Sequence, residues 1–85
     1  MDNYIEINEY DVLIDIFRFI RDYATYAYTL PDVCRKLLKH LESEGYQVQL
    51  VDADHRDYRI IQVEAQRYKI LRLKGWTTYD VIMTA

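Results

Sequence analysis

The sequence contains few of the residues that cross-link a chain, interrupt its helices or bind metal clusters. It has one cysteine, one proline and two glycines among 85 residues. A single cysteine excludes an internal disulfide and any zinc or iron–sulfur site that needs several thiolates. So few glycines leave little backbone freedom for a loop that cradles phosphate. The lack of an internal disulfide favours a reducing compartment, and we expect the protein to be cytoplasmic.

Long hydrophobic runs are also missing. No apolar segment approaches the roughly 20 residues that span a bilayer. The acidic start MDNYIEINEY lacks the basic segment and apolar stretch of a signal peptide. With 51% hydrophobic and 29% charged residues, the composition is that of a folded protein rather than a disordered one. We therefore predict a soluble protein with one domain over residues 1–85 and no membrane partner.

Charge is unevenly distributed along the chain, whose net charge is −3. Residues 1–24 carry a net −4, whereas residues 56–74 carry a net +4. Such asymmetry can indicate a binding face. It can equally arise because an acidic helix and a basic sheet attract each other, within one fold or between two copies. We prefer the second interpretation.

The first half of the chain has helical periodicity. Asn8 is a favourable N-cap, and it predicts a first helix over about residues 9–28. The apolar side chains of this helix fill an arc of about 200°, wider than a helix needs to pack on one core. They are Val12, Leu13, Ile16, Phe17, Phe19, Ile20, Tyr23, Ala24, Tyr26 and Ala27. We predict that part of this arc contacts another molecule.

A second helix is predicted over about residues 31–44, with Thr29 as its N-cap and Gly45 as its stop. Beyond Gly45 the period changes to two, which predicts strands over about residues 46–51, 58–64, 67–73 and 77–83. Ala65 and Gln66 are unfavourable in a two-residue turn, so we expect a longer loop or a bulge between the middle strands. The predicted fold is α+β, an N-terminal antiparallel helix hairpin packed on a three- or four-stranded antiparallel β-meander.

No segment predicts catalysis or metal binding. The turn DADHRD offers Asp52, Asp54, His55 and Asp57, but it lacks the glycine and distal glutamate of a calcium loop. Cys34 lies on the apolar arc of the second helix, where a free cysteine usually acts as a small hydrophobic residue. We expect no enzyme activity, no metal and no cofactor.

Nucleic-acid binding is one interpretation of the basic residues. A helix followed by a basic hairpin is similar in layout to the recognition helix and wing of winged-helix regulators, and residues 37–61 follow that order. The resemblance implies a nucleic-acid surface made of Arg35, Lys36, Lys39, Arg56, Arg59, Arg67, Lys69 and Arg72. The long acidic first helix departs from that family and would repel phosphates. We therefore rank this interpretation second, and expect the charges of residues 67–80 to lie on the solvent side of a strand.

Protein binding accounts for more of the sequence. Nine tyrosines, two phenylalanines and one tryptophan exceed what a small core encloses, and tyrosine is common at interfaces. Sheet proteins also use tyrosine for cross-strand packing, but the wide apolar arc of the first helix favours an interface. The predicted interface residues are Val12, Phe19, Tyr23, Tyr26, Tyr28 and Trp76. We predict a non-enzymatic regulatory module, an adaptor or inhibitor, that forms a homodimer through its first helix.

Overall fold

The computed structural model describes residues 8–23, 29–72 and 79–84. Two helices precede four antiparallel strands, which confirms the predicted α+β arrangement. The elements are α1 (Glu9–Tyr23), α2 (Leu30–Ser43), β1 (Val48–Asp52), β2 (Tyr58–Val63), β3 (Gln66–Arg72) and β4 (Tyr79–Thr84). Within the described residues, no helix has both the length and the apolar character needed to cross a membrane.

Helix α1 begins where the sequence predicts. The Asn8 side-chain carbonyl accepts a hydrogen bond from the Tyr10 amide at 2.8 Å, as an N-cap does. Residues 24–28, the predicted end of this helix, lie outside the described residues.

Helix α2 is capped at both ends by the predicted residues. At its start, the Thr29 hydroxyl accepts from the Asp32 amide. At its end, Gly45 adopts a φ of +97°, and its amide donates to the Glu42 carbonyl. The following amide, of Tyr46, donates to the carbonyl of Leu41. This is a Schellman motif. Because the Tyr46 amide is bonded to the end of α2, Tyr46 is not part of the sheet, and β1 begins at Val48 rather than at residue 46.

The four strands form a meander in the order β1-β2-β3-β4. Register places one set of residues towards the helices: Val48, Leu50, Arg59, Ile61, Val63, Gln66, Tyr68, Ile70, Arg72, Tyr79, Val81 and Met83. The opposite set forms the outer face of the sheet: Gln49, Tyr58, Ile60, Gln62, Arg67, Lys69, Leu71, Asp80, Ile82 and Thr84. A register shift between Leu50 and Asp52 marks a bulge in β1.

The turn between β2 and β3 differs from the prediction. Val63 pairs with Gln66, which leaves only Glu64 and Ala65 in the turn. Glu64 has a φ of 55°, a left-handed conformation that costs a non-glycine residue energy. Its amide donates to the Gln47 carbonyl, and its carboxylate accepts from the Gln47 amide. These contacts with the segment before β1 offset the strain, so a sequence without turn-forming residues still makes a tight hairpin.

The core lies between the helix pair and the inner sheet face. Its helical members are Val12, Ile16, Ile20, Leu30, Val33, Cys34, Leu37 and Leu41. Its strand members are Ile61, Val63, Tyr68, Ile70, Tyr79 and Val81. Among the described residues, no charged side chain is buried. Each helix therefore contributes one row of buried apolar side chains to the core. Other apolar residues of α1 lie outside that row.

Candidate functional site

Helix α1 carries an apolar stripe on the side that its own fold leaves open. Tyr10 is 60% exposed, Ile14 48% and Phe17 40%. At about 100° per residue these three side chains share one narrow arc, roughly opposite the arc of Val12 and Ile16 that enters the core. We call Tyr10, Ile14 and Phe17 the α1 stripe. It is an exposed apolar row on a helix whose other side is fully packed.

A charged arc borders the α1 stripe. Asp11 and Arg18 lie on the same flank of it, about two turns apart by the geometry of the helix. Both are exposed. The stripe is therefore an apolar row with an acidic group at one end of its charged flank and a basic group near the other.

The predicted interface residues occupy different surroundings. Val12 is 1% exposed and lies in the core, so it does not reach the surface as the predicted interface requires. Phe19 and Tyr23 are half-buried against the core, and their rings stack at 5.4 Å between centroids. Tyr26, Tyr28 and Trp76 lie outside the described residues.

The α1 stripe overlaps the predicted apolar arc of α1 only at Phe17, because the predicted arc omits Tyr10 and Ile14. Other members of that arc, including Leu13, Phe19 and Tyr23, are half-buried against the core. The spacing of positions 10, 14 and 17 was the available signal, because residues three and four apart share a helix face. Which stripe faces the core is a matter of tertiary packing.

The predicted nucleic-acid residues do not form one surface. In the hairpin, Arg59 and Arg72 lie on the helix-facing side, whereas Arg67 and Lys69 lie on the outer face. Arg56 is exposed in the loop between β1 and β2. Of the charges in residues 67–80, Arg67, Lys69 and Asp80 share the outer face, as expected. Arg72 is exposed but lies on the helix-facing side, and Lys74 lies outside the described residues.

Several of these cations are already engaged within the fold. The Lys69 ammonium lies 4.2 Å from the centroid of the Tyr58 ring. Arg67 donates to the Gln62 side chain at 3.1 Å. Arg59 donates to the carbonyls of His55 and Tyr58. These contacts hold the side chains against their own hairpin.

On α2, Arg35 pairs with Asp32 at 3.0 Å, and Lys36 and Lys39 are exposed. Arg35, Lys39 and Arg59 border a groove of about 460 Å³ between α2 and the edge strand β1. Its remaining lining residues are Pro31, Cys34, Leu38, Glu42, Leu50 and Ala53. The groove therefore has an apolar floor and a mostly basic rim.

Cys34 lies at the floor of that groove and is 3% exposed. Burial raises the pKa of its thiol to about 12, although the nearby charge of Arg59 acts in the opposite direction. A thiol in this state is neutral at physiological pH and is a poor nucleophile. The geometry agrees with the prediction that Cys34 is a core residue.

A second polar feature joins the two helices. His40, near the end of α2, directs its Nε2 atom at two carboxylates. That atom lies 3.3 Å from Asp15 Oδ1 on α1 and 2.8 Å from Glu44 Oε1 at the C-cap of α2. The Phe19 ring stacks on the imidazole at 4.7 Å and holds its plane. We call Asp15, His40 and Glu44 the interhelix cluster.

The surroundings of the interhelix cluster are acidic. Burial, followed by the proximity of Asp15, raises the pKa of the Glu44 carboxyl, while His40 acts to lower it. Burial also raises the pKa of the neighbouring Tyr46 phenol, and carboxylates including Asp15, Glu44 and Asp11 raise it further. Sequence reasoning missed this cluster because Asp15 and His40 are 25 residues apart.

Comparison of the chain with protein-family models, with curated proteins and with solved structures gave no match.

Proposed function

We propose that the chain is a small non-enzymatic protein-binding module that pairs with a second copy of itself through the α1 stripe. The observation that carries the proposal is the exposure of Tyr10, Ile14 and Phe17 in one row. Three large apolar side chains aligned on one helix face are what a helix–helix interface needs.

Charge complementarity favours a second copy as the partner. In a twofold pair, each residue i that contacts residue j is matched by j contacting i. If two α1 helices cross antiparallel near Ile14, Asp11 of one copy lies beside Arg18 of the other, on the same flank of the stripe. Each dimer then contains two such ion pairs at the rim of an apolar contact. In a parallel pair the two charged flanks would lie on opposite sides of the contact, and neither ion pair could form.

The energetics predict a weak dimer. Full burial of a side chain of this size contributes about 1.5–3 kcal/mol, and the three residues are about half exposed. Two stripes together offer roughly 5–9 kcal/mol, against at least about 4 kcal/mol for association. Such an interface suits a reversible regulatory contact, in which a different protein with a similar apolar helix displaces the second copy.

Sedimentation equilibrium at concentrations up to about 1 mM tests this proposal. The wild-type chain should reach the mass of a dimer, and Ile14→Glu should remain a monomer. Ile82→Glu is a matched control, because Ile82 is 45% exposed on the outer sheet face while Ile14 is 48% exposed on α1. It should dimerise as the wild type does.

A wild-type monomer throughout this range would refute self-association. Loss of the dimer in Ile82→Glu but not in Ile14→Glu would move the interface to the outer face of the sheet. A partner protein that uses the α1 stripe should bind Ile82→Glu and fail to bind Ile14→Glu.

A further inference from the structure

The interhelix cluster brings three metal-ligating side chains to one point. One ligand atom from each of Asp15, His40 and Glu44 lies within 4.8 Å of the others. We propose that these residues form a binding site for one divalent transition-metal ion of the zinc type. The site is separate from the α1 stripe and does not depend on the proposed function.

The distances fit a shared ion. Zinc binds imidazole nitrogen and carboxylate oxygen at about 2.0–2.2 Å. Two ligands at that radius, separated by an angle between an octahedral and a tetrahedral one, are about 2.9–3.4 Å apart. His40 Nε2 is 3.3 Å from Asp15 Oδ1 and 2.8 Å from Glu44 Oε1. The Asp15 and Glu44 oxygens lie within 4.8 Å of each other.

The donor set selects the class of metal. One imidazole nitrogen and two carboxylate oxygens suit Zn²⁺, Co²⁺ or Ni²⁺. Calcium prefers six to eight oxygen ligands, and magnesium keeps an octahedral shell of mostly water. Three protein ligands leave at least one coordination position for water or for a ligand from another molecule.

The fold holds the ligands in place. His40 and Glu44 are four residues apart at the C-terminal end of α2, where the Schellman motif fixes the backbone. The partial negative charge of a helix C-terminus favours a cation there. Asp15 enters from α1, and the Phe19 ring stacked on His40 restricts rotation of the imidazole. Each ligand therefore comes from a regular element or its cap.

One oxygen in the cluster is unsatisfied. Asp15 Oδ2 is buried and, among the described residues, has no hydrogen-bond partner. A buried carboxylate oxygen without a partner carries a desolvation cost. A cation held by the Asp15 carboxylate would reduce that cost. The alternative arrangement, in which a single Nε2–H is shared between the two carboxylates, leaves Asp15 Oδ2 unsatisfied.

Isothermal titration of the full, untagged chain with ZnCl₂ tests the proposal, with Co²⁺ absorption as a second readout. Cys34 does not compete at neutral pH, because burial raises its pKa to about 12. The variants are His40→Gln, Glu44→Gln and the control His55→Gln, which removes the histidine paired with Asp52 at 3.3 Å. Circular dichroism verifies the fold of each variant.

We expect one Zn²⁺ per chain. His40→Gln and Glu44→Gln should each weaken Zn²⁺ binding by more than about tenfold. Loss of a residue that only hydrogen-bonds a metal ligand already costs at least about tenfold in affinity. His55→Gln should bind as the wild type does. Glu44 is exposed at the helix end, so Glu44→Gln tests the site even if His40→Gln does not fold.

Absence of saturable Zn²⁺ binding by the wild type would overturn the proposal. So would equal binding by Glu44→Gln and the wild type. Loss of binding in His55→Gln alone would also overturn it, because it would locate the metal in the turn between β1 and β2.

Discussion

The Tyr68 hydroxyl donates a 2.9 Å hydrogen bond to the backbone carbonyl of Glu9, 59 residues earlier in the chain. Tyr68 is fully buried in β3, and Glu9 is the first residue of α1. The bond ties the start of α1 to the middle of the sheet. Val12, Ile16 and Ile20 of the same helix pack in the core, and the α1 stripe lies on the open side.

Removing this hydroxyl should lower stability modestly. We expect Tyr68→Phe to reduce the free energy of unfolding by about 0.5–1.5 kcal/mol, because the ring stays packed while one hydrogen bond is lost. The melting temperature should fall by about 4–8 °C per kcal/mol. Tyr58→Phe, on the outer sheet face, is the matched control and should change melting little. Equal melting of Tyr68→Phe and the wild type would mean that the bond does not contribute.

Charge exchange along α1 should test the antiparallel pairing. Asp11→Arg and Arg18→Asp should each weaken dimerisation, because each places like charges together across the twofold axis. The double variant restores opposite charges and should recover much of the wild-type affinity. Sedimentation equilibrium at low and high salt would measure this. Additive weakening in the double variant would contradict the antiparallel arrangement.

Buried Cys34 should make stability fall at alkaline pH. The pKa of its thiol is raised from 9.0 to about 12, so above about pH 9 the unfolded chain loses a proton that the folded chain keeps. Stability then decreases as pH rises, by up to about 1.4 kcal/mol per pH unit. Below pH 9 the thiol is protonated in both the folded and the unfolded chain, so this loss of stability does not occur. Tyr68, whose pKa is raised from 10.0 to about 12, adds the same trend above pH 10.

Urea unfolding between pH 9 and pH 10 would measure this slope. In Cys34→Ala the free energy of unfolding should fall less steeply with pH than in the wild type, whatever the absolute stability of the variant. Thiol labelling at pH 8 should also be slow in the native chain and fast in urea. Rapid labelling of the folded chain would show that Cys34 is accessible and its pKa ordinary.

Gly45 should be required for its backbone conformation and not for space. Its φ is +97°, and a Cβ built there would meet nothing within 4 Å. Gly45→Ala should therefore cost about 1 kcal/mol through backbone strain alone. Gly45→Asn should cost less, because asparagine tolerates the left-handed region. Thermal melting of the two variants distinguishes this cause from a steric clash, which would make asparagine the worse substitution.

Nucleic-acid binding through the hairpin should be weak or absent, because Arg67 and Lys69 lie on the opposite sheet face from Arg72. We expect no association with mixed-sequence DNA or RNA at low salt that depends on these residues. Fluorescence anisotropy of the wild type and of the Arg67→Gln, Lys69→Gln, Arg72→Gln triple variant would measure it. Affinity that falls steeply with salt and is lost in the triple variant would support the winged-helix interpretation instead.

Local chemistry alone determined the order and limits of most elements. Asn8 and Thr29 accept amide hydrogen bonds at the two helix starts, and Gly45 ends α2 in the conformation that glycine adopts most easily. The period-two segments after Gly45 are strands. They could be predicted because the alternation of apolar and polar residues is a local pattern that does not depend on distant residues. The core positions of α2 follow from the same kind of local periodicity.

Long-range packing decided the candidate sites. Which side of α1 enters the core depends on packing against α2 and the sheet, far along the chain, so the exposure of Ile14 could not be predicted from the helix itself. The tight turn at Glu64 depends on contacts with Gln47. The interhelix cluster arises because α1 and α2 pack together where Asp15 and His40 lie. The spacing of these residues in the sequence does not encode that proximity.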